Sequence, residues 1–510
     1  MIFLEEDFMQ EKYFLAGLAF WAAIIFLLYT LRPSSRLHVE ISTITRREKI
    51  ICLVVMCTLI AACVVPMAWN PNWSGEAHRH HNQYSTLADA FLKGQLYLDM
   101  SVDPRLAAME NPYDPKERDK LNLDENSGGW DHAFYKGHYY VYFGAVPAFL
   151  IFAPYKLIVG ESLAAYHGTQ IFATLFIIGL FALFLFLARK FFPRLSFGVW
   201  LTTTFALSLV SILYCTEAPA LYCTASSSGL CMEVWSLYFF VRAAWSSDSR
   251  RKFWAEIFIG ALLGALAFGC KPTVALANFL ILPILLVLLR KDNPLKILLV
   301  MMFPYLMTGA TLMTYNYLRF DNAFEFGQAY QLTVADQHAY GKFSERFNLS
   351  AQIDGLLQNF FGVDNDLPRG DNKPSGALRY VLFWTPIVLL NKDIRAALIK
   401  NKLLGLTIAA VVTSILITAF QIHWTPFLLE RYRLEIYWLL ALVSFISIGL
   451  LSESLPFERK KIFNFTVCLL SVVTVFQCLN LFFIPNDLNF AAIYPDLRPT
   501  ILKVLSLGFK

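Results

Sequence analysis

Residues 50–68 read IICLVVMCTLIAACVVPMA, an apolar run without a single charge. At about 1.5 Å per residue, a helix of that length is close to the ~30 Å hydrocarbon core of a bilayer. The chain then turns polar. Residues 75–84 read GEAHRHHNQY, with three histidines, an arginine and a glutamate close together. A cluster of this kind at the edge of a membrane segment has three readings: a metal site, a clamp on a phosphate, or a solvated loop.

The rest of the chain extends the membrane reading. Of 510 residues, 57% are hydrophobic and 16% are charged, and the mean hydropathy is +0.50. A soluble domain of this size needs more polar surface, so composition points to a polytopic membrane protein. The formal net charge of +5 is small and spread over loops, which argues against a nucleic-acid footprint. Most of the nine cysteines sit inside apolar runs, where they act as small hydrophobes. Cys215 and Cys223 flank CTEAPALYC and can pair if that loop faces an oxidising space. Residues 13–31 (YFLAGLAFWAAIIFLLYTL) are long enough to span and lack a small-residue cleavage site, so no cleavable signal peptide is expected.

Twelve candidate spans follow from hydropathy and length, near 13–31, 50–68, 165–188, 197–215, 224–243, 253–270, 273–290, 297–317, 376–391, 403–420, 434–452 and 463–485. The segment at 376–391 is short. With the N-terminus outside, six loops on the inner side carry the basic clusters, among them Arg46–Arg47, Arg189–Lys190, Arg250–Lys252, Arg290–Lys291, Lys392–Lys402 and Arg459–Lys461. This is the positive-inside pattern. Lys271, Arg431 and Arg433 are the cations of the short outer loops.

The expected architecture is an all-α membrane protein, a single integral membrane domain over 1–510. Two long external segments, 69–164 and 318–375, bear interfacial helices. In QYSTLADAFLKGQ, Tyr84, Leu87, Ala88 and Phe91 share one helical face and Gly94 is a natural stop. The stretch 141–158 is apolar but interrupted by Pro147 and Pro154, which suits a helix lying at the interface. In LSAQIDGLLQNFFG (349–362), Leu349, Ile353, Leu356, Leu357 and Phe360 form an apolar stripe.

Three stretches together, YSTLADAFLKGQLYLD (84–99), WDHAFYKGHYYVYFGAVPAFLIFAPYKL (130–157) and the Arg431–Tyr432 pair in LLERYRLEIYW (428–438), resemble the GT-C superfamily of membrane glycosyltransferases. That superfamily includes the bacterial aminoarabinose transferases and the protein O-mannosyltransferases. The resemblance covers most of the chain as layout, with loose motifs. It implies a polyprenyl-phosphate-linked sugar donor, a cell-envelope glycan, lipid or protein as acceptor, and placement in the plasma (inner) membrane with the long loops on the non-cytoplasmic face. It also implies an acidic base in the first external loop. The superfamily's usual acids shortly before a Tyr are replaced here by His80 and His81, and the nearest acid is Glu76.

Sugar transfer from a lipid phosphate needs a carboxylate to take the acceptor proton and cations to hold the departing phosphate. Glu76 is the first candidate base and Asp131, in GGWDHAFYKG, the second. Arg79, Lys271 and Arg431 are the candidate phosphate ligands. Tyr84, Tyr432, His80 and His81 are candidate hydrogen-bonding partners for sugar or phosphate. A divalent metal at the histidines is conceivable, but no second cluster with clean ligand spacing accompanies them. Glu233, inside a span, reads as a structural carboxyl, and Arg319, Glu325 and Gln328 as residues of the acceptor side. No P-loop or dinucleotide fingerprint is present. Two rivals share the layout: a multispan transporter or flippase, and a GT-C-like scaffold without activity.

Overall fold

The computed structural model describes residues 25, 35–69, 82–123, 129–219, 221–246, 249–340, 346–363, 376–424 and 428–482. The chain is mostly helical. Six helices are long and apolar enough to cross a membrane. These are α1 (Arg46–Val64, prolonged by a 3-10 turn to Trp69), α4 (Ala165–Phe191), α9 (Pro294–Phe320), α12 (Leu404–Trp424), α13 (Glu430–Ser454) and α14 (Phe457–Phe482). Apart from residue 25, the expected span 13–31 lies outside the described residues.

The remaining expected spans also fall on helices, but of other kinds. Helices α6 (Leu221–Trp245) and α7 (Arg250–Phe268) have full length and carry Glu233 and Arg242, or Arg250–Lys252 and Glu256. Helix α5 (Phe197–Ile212) is shorter. The segment at 273–290 is broken by a 3-10 turn at Leu276–Leu280 before α8 (Ile281–Leu288). The segment at 376–391 becomes a ten-residue 3-10 helix, Val381–Leu390, with Pro386 inside. At about 2 Å per residue it covers roughly 20 Å, short of the hydrocarbon core. What composition and length establish is therefore six crossing-competent helices.

Packing explains why some of these helices tolerate polar residues. Helix α6 lies along both α4 and α7, so its Thr224, Ser226, Ser227, Ser228 and Glu233 are buried in protein. Trp235 Nε1 donates to Leu175 O at 3.0 Å, tying α6 to α4. Helix α13 is buried almost throughout, whereas α1 and α9 bury few of their apolar side chains. The outward faces of α1 and α9 are what a lipid solvent requires.

Outside this bundle, the two long segments form one unit. Helix α2 (Gln83–Leu92) buries Tyr84, Leu87 and Ala88, the face expected from the sequence. It ends in a Schellman cap: Gly94, at φ +73°, donates to Phe91 O, and Gln95 N donates to Ala90 O, both at 3.0 Å. A two-stranded hairpin departs from the all-α expectation. Strands β1 (Ala133–Tyr135) and β2 (His138–Tyr140) turn at Lys136–Gly137, both with positive φ, as a two-residue turn requires. The second external segment adds to this hairpin through Leu332 N to His132 O and Phe134 N to Tyr330 O, both 2.9 Å. Arg118 Nη2 donates to Thr333 O at 2.6 Å. Stretch 141–158 is a π-turn, Ala148–Phe152, running into α3 (Ala153–Val159), with Leu157 and Ile158 exposed.

Helix α10 (Leu349–Phe361) turns three residues of the expected stripe outward, Leu349, Ile353 and Leu357 (64%, 51% and 39% exposed), with Phe361 beside them, while Leu356 and Phe360 are half-buried and Gln352, Gln358 and Asn359 are buried. The buried polar face meets α12, where Asn359 Nδ2 donates to Thr418 Oγ1 at 2.7 Å.

Candidate functional site

Asp131 sits in the loop before β1 with φ +58°, a conformation that Asp tolerates better than most residues. The loop is held from three sides. Asp131 N donates to Leu332 O at 2.8 Å, Gln83 Nε2 of α2 donates to Asp131 O at 2.7 Å, and Gln331 Nε2 donates to the carboxylate Oδ1 at 2.8 Å. Gln328 in turn donates to Gln331 at 2.9 Å, forming a short amide relay from the second external segment. The Asp131 residue is only 6% exposed. Burial pushes its carboxyl up to about 6, against the opposing pull of the nearby Arg431 guanidinium and the Gln331 hydrogen bond.

Arg431 opens α13. Its guanidinium lies 3.9 Å from the Tyr222 ring centroid and 5.6 Å from that of Tyr432. Asp131, Tyr142 and Tyr214 are also within its electrostatic reach. Among the described residues it forms no ion pair. One turn along the same face, Glu435 accepts an ion pair from Lys271 Nζ at 2.6 Å, and Nζ also donates to Ser226 Oγ at 3.0 Å. The Glu435 side chain is fully buried, so Lys271 compensates a carboxylate that would otherwise be costly. Lys271 Nζ also stands 5.7 Å from the Tyr432 ring. The external loop reaches this cation through its backbone: Val146 N donates to Gly269 O at 2.9 Å. Any side chain at Gly144 would strike Gly269 O, so the close approach needs glycine there.

Four of the sequence candidates, Asp131, Lys271, Arg431 and Tyr432, are thus gathered at one place. Tyr84 lies beside them but is fully buried and stacked on Phe152 at 5.6 Å. Its hydroxyl makes no hydrogen bond, and its first role is in the core. Glu76, Arg79, His80 and His81 lie outside the described residues. His132 is held by Trp130 O at 2.8 Å, and His138 stacks on Tyr97 at 4.3 Å. Among the described residues no group of three or more His, Cys, Asp or Glu is placed to hold a metal. Cys215 and Cys223 are free thiols. Glu233 accepts from Asn278 Nδ2 at 2.7 Å, as a structural carboxyl would. Arg319 donates to Val141 O at 2.7 Å and to Asn316 Oδ1 at 2.8 Å, pinning the end of α9 to the hairpin. Glu325 caps its own loop by accepting from Gly327 N at 2.6 Å.

Sequence reasoning missed Gln83, Gln331, Tyr142, Tyr222, Ser226 and Glu435. Only Glu435 carried a local signal, four residues after Arg431 and so on the same helical face.

No family model, no curated protein and no solved structure matches this chain significantly.

The arrangement suits charge-transfer chemistry. A carboxyl with a value near 6 is largely ionised at neutral pH yet basic enough to accept a proton. Beside it stands a guanidinium stacked between aromatic rings and free to take an anion.

Proposed function

We propose that the chain is a membrane glycosyltransferase that moves a sugar from a polyprenyl-phosphate carrier to a cell-envelope acceptor on the non-cytoplasmic face. The observation that carries this reading is the buried carboxyl of Asp131 within electrostatic reach of the Arg431 guanidinium. The acceptor hydroxyl oxygen forms a bond to the anomeric carbon as its proton passes to Asp131. The bond from that carbon to the phosphate oxygen breaks, and polyprenyl phosphate leaves against Arg431. Lys271, already balanced by Glu435, adds a weaker attraction. Glu76 remains a second candidate for the base. The basic clusters at Arg46–Arg47, Arg189–Lys190, Arg250–Lys252 and Arg290–Lys291, read by the positive-inside rule, support putting this site at the outer surface of the plasma membrane. The outward apolar faces of α1 and α9 suit a donor that approaches through the bilayer.

The test is transfer of labelled sugar from a panel of polyprenyl-phosphate sugars to envelope fractions, using membranes with wild type, Asp131→Asn or Glu76→Gln. Asp131→Asn is expected to lower the rate about 10²–10⁴-fold, the usual worth of a general base. Loss with Glu76→Gln alone would reassign the base. No transfer by folded wild type from any donor would favour the transporter or the inactive scaffold.

A further inference from the structure

The second external segment meets the hairpin at Tyr330 and Gln331, and these two neighbours in sequence serve different groups. Gln331 holds the Asp131 carboxylate. The Tyr330 ring stands at the centre of an aromatic group. Its centroid is 4.5 Å from that of Tyr135 in β1, 6.0 Å from Tyr113 and 6.2 Å from His338. Tyr113 and His338 are themselves 5.0 Å apart. Phe320, buried at the end of α9, supports the group from the core side, 5.5 Å from Tyr330 and 5.8 Å from Tyr135. The three tyrosines are only half-buried, and the His338 side chain is 48% exposed.

The rings are fixed by their polar edges. Tyr113 Oη donates to Phe134 O at 2.9 Å, and Tyr135 Oη donates to Asp321 Oδ2 at 3.0 Å. Two carboxylates flank the group. Asp336 accepts from Asn111 Nδ2 at 2.9 Å and from His338 N at 2.8 Å. Asp321, which is exposed, also accepts from Lys136 Nζ at 2.6 Å, again at Oδ2. Each carboxylate offers about four lone-pair positions, so both can accept further hydrogen bonds.

Half-exposed rings held rigid, with fixed acceptors at the rim, suit a ligand that has an apolar face and hydroxyl edges. A pyranose ring is such a ligand. Its axial C–H bonds lie against an aromatic face while its hydroxyls reach outward to carboxylates and amides. Nucleobases also stack on aromatic rings, but Asp321 and Asp336 would repel the phosphates that accompany them, and would repel an acidic glycan in the same way.

We propose that Tyr113, Tyr135, Tyr330 and His338 form a subsite for a neutral sugar ring of the acceptor, one residue along the chain from the amide that holds Asp131. The role of acceptor rests on the transferase reading; the binding of sugar does not.

The test uses the full chain in nanodiscs and a panel of neutral oligosaccharides (chitotetraose, cellotetraose and mannotetraose), with binding read by saturation-transfer NMR and weak-affinity chromatography. Wild type should bind at least one of them. Tyr330→Ala should weaken that binding about tenfold, the worth of a good aromatic contact, and Tyr330→Phe should retain it. If Tyr330→Ala melts early, His338→Ala carries the test, because the position is exposed; it should weaken binding a few-fold. Arg431→Gln should leave binding unchanged. Sugar binding by a chain that transfers from no donor would remove the transferase reading and leave the subsite standing. Equal binding by wild type, Tyr330→Ala and His338→Ala overturns the subsite. So does failure to bind any neutral oligosaccharide, or a preference for an acidic one such as an oligogalacturonate.

Discussion

Helices α2 and α10 carry the same kind of amphipathic pattern and use it in opposite ways. Helix α2 turns Tyr84, Leu87 and Ala88 into a core shared with Leu98, Tyr139 and Phe152. Helix α10 turns Leu349, Ile353, Leu357 and Phe361 outward and buries Gln352, Gln358 and Asn359 against α12. A stripe of apolar side chains states that one face must avoid water. It does not state whether protein or lipid will cover it. The consequence reaches the candidate site: α2 holds Asp131 through Gln83, so its inward face is part of what positions the carboxyl.

The largest effect is expected beneath the α2 unit, where the end of α7 meets α13. Lys271→Met leaves Glu435 buried without its partner and should lower stability in detergent by about 3–5 kcal/mol, read by thermal melting. A neutral result would mean that the Lys271–Glu435 pair does not tie the end of α7 to α13. Leu87→Ala, on the buried face of α2, should cost about 2–5 kcal/mol from lost burial and an unfilled cavity. Transfer activity should fall with it as Asp131 loses its support.

The Asp131 carboxyl sharpens the comparison by pH. Its value in the folded chain, about 6, lies above the ordinary 3.8, so the folded state binds this proton more tightly than the unfolded one. Its contribution to stability is fully present below about pH 4 and is lost as pH rises through 6, a swing of roughly 3 kcal/mol. The melting-temperature difference between wild type and Asp131→Asn should change across that window. A constant difference from pH 5 to 8 would remove the buried-carboxyl interpretation. Transfer, by contrast, should rise through the same window as the base becomes ionised.

The smallest effect belongs to α10. Ile353→Ala should change detergent stability by less than about 0.5 kcal/mol, because the side chain is half exposed. A cost equal to that of Leu87→Ala would erase the distinction between the two helices.

Much of the membrane layout could be read from residues alone. Apolar runs such as 50–68 and 165–188 are long enough to cross a bilayer in only one secondary structure, because backbone polar groups must be satisfied within the segment. The α2 stripe and its Gly94 stop were legible for a similar reason, since helical periodicity and a left-handed cap are local properties. Lys271 stood out as a charge at the end of a span, Arg431 as an outer-loop cation against the positive-inside trend, Tyr432 as its neighbour and Asp131 as a carboxyl of the first external segment. Tertiary structure decided what those groups meet. Gln331 reaches Asp131 from 200 positions away, and Tyr222 reaches Arg431 from a different helix. It also decided that β1 and β2 pair where only helices were expected, that Val381–Leu390 is too short to cross, and which residues of the α10 stripe stay exposed. Each of these depends on neighbours distant in the chain, and periodicity within a segment carries no information about the surface it will be packed against.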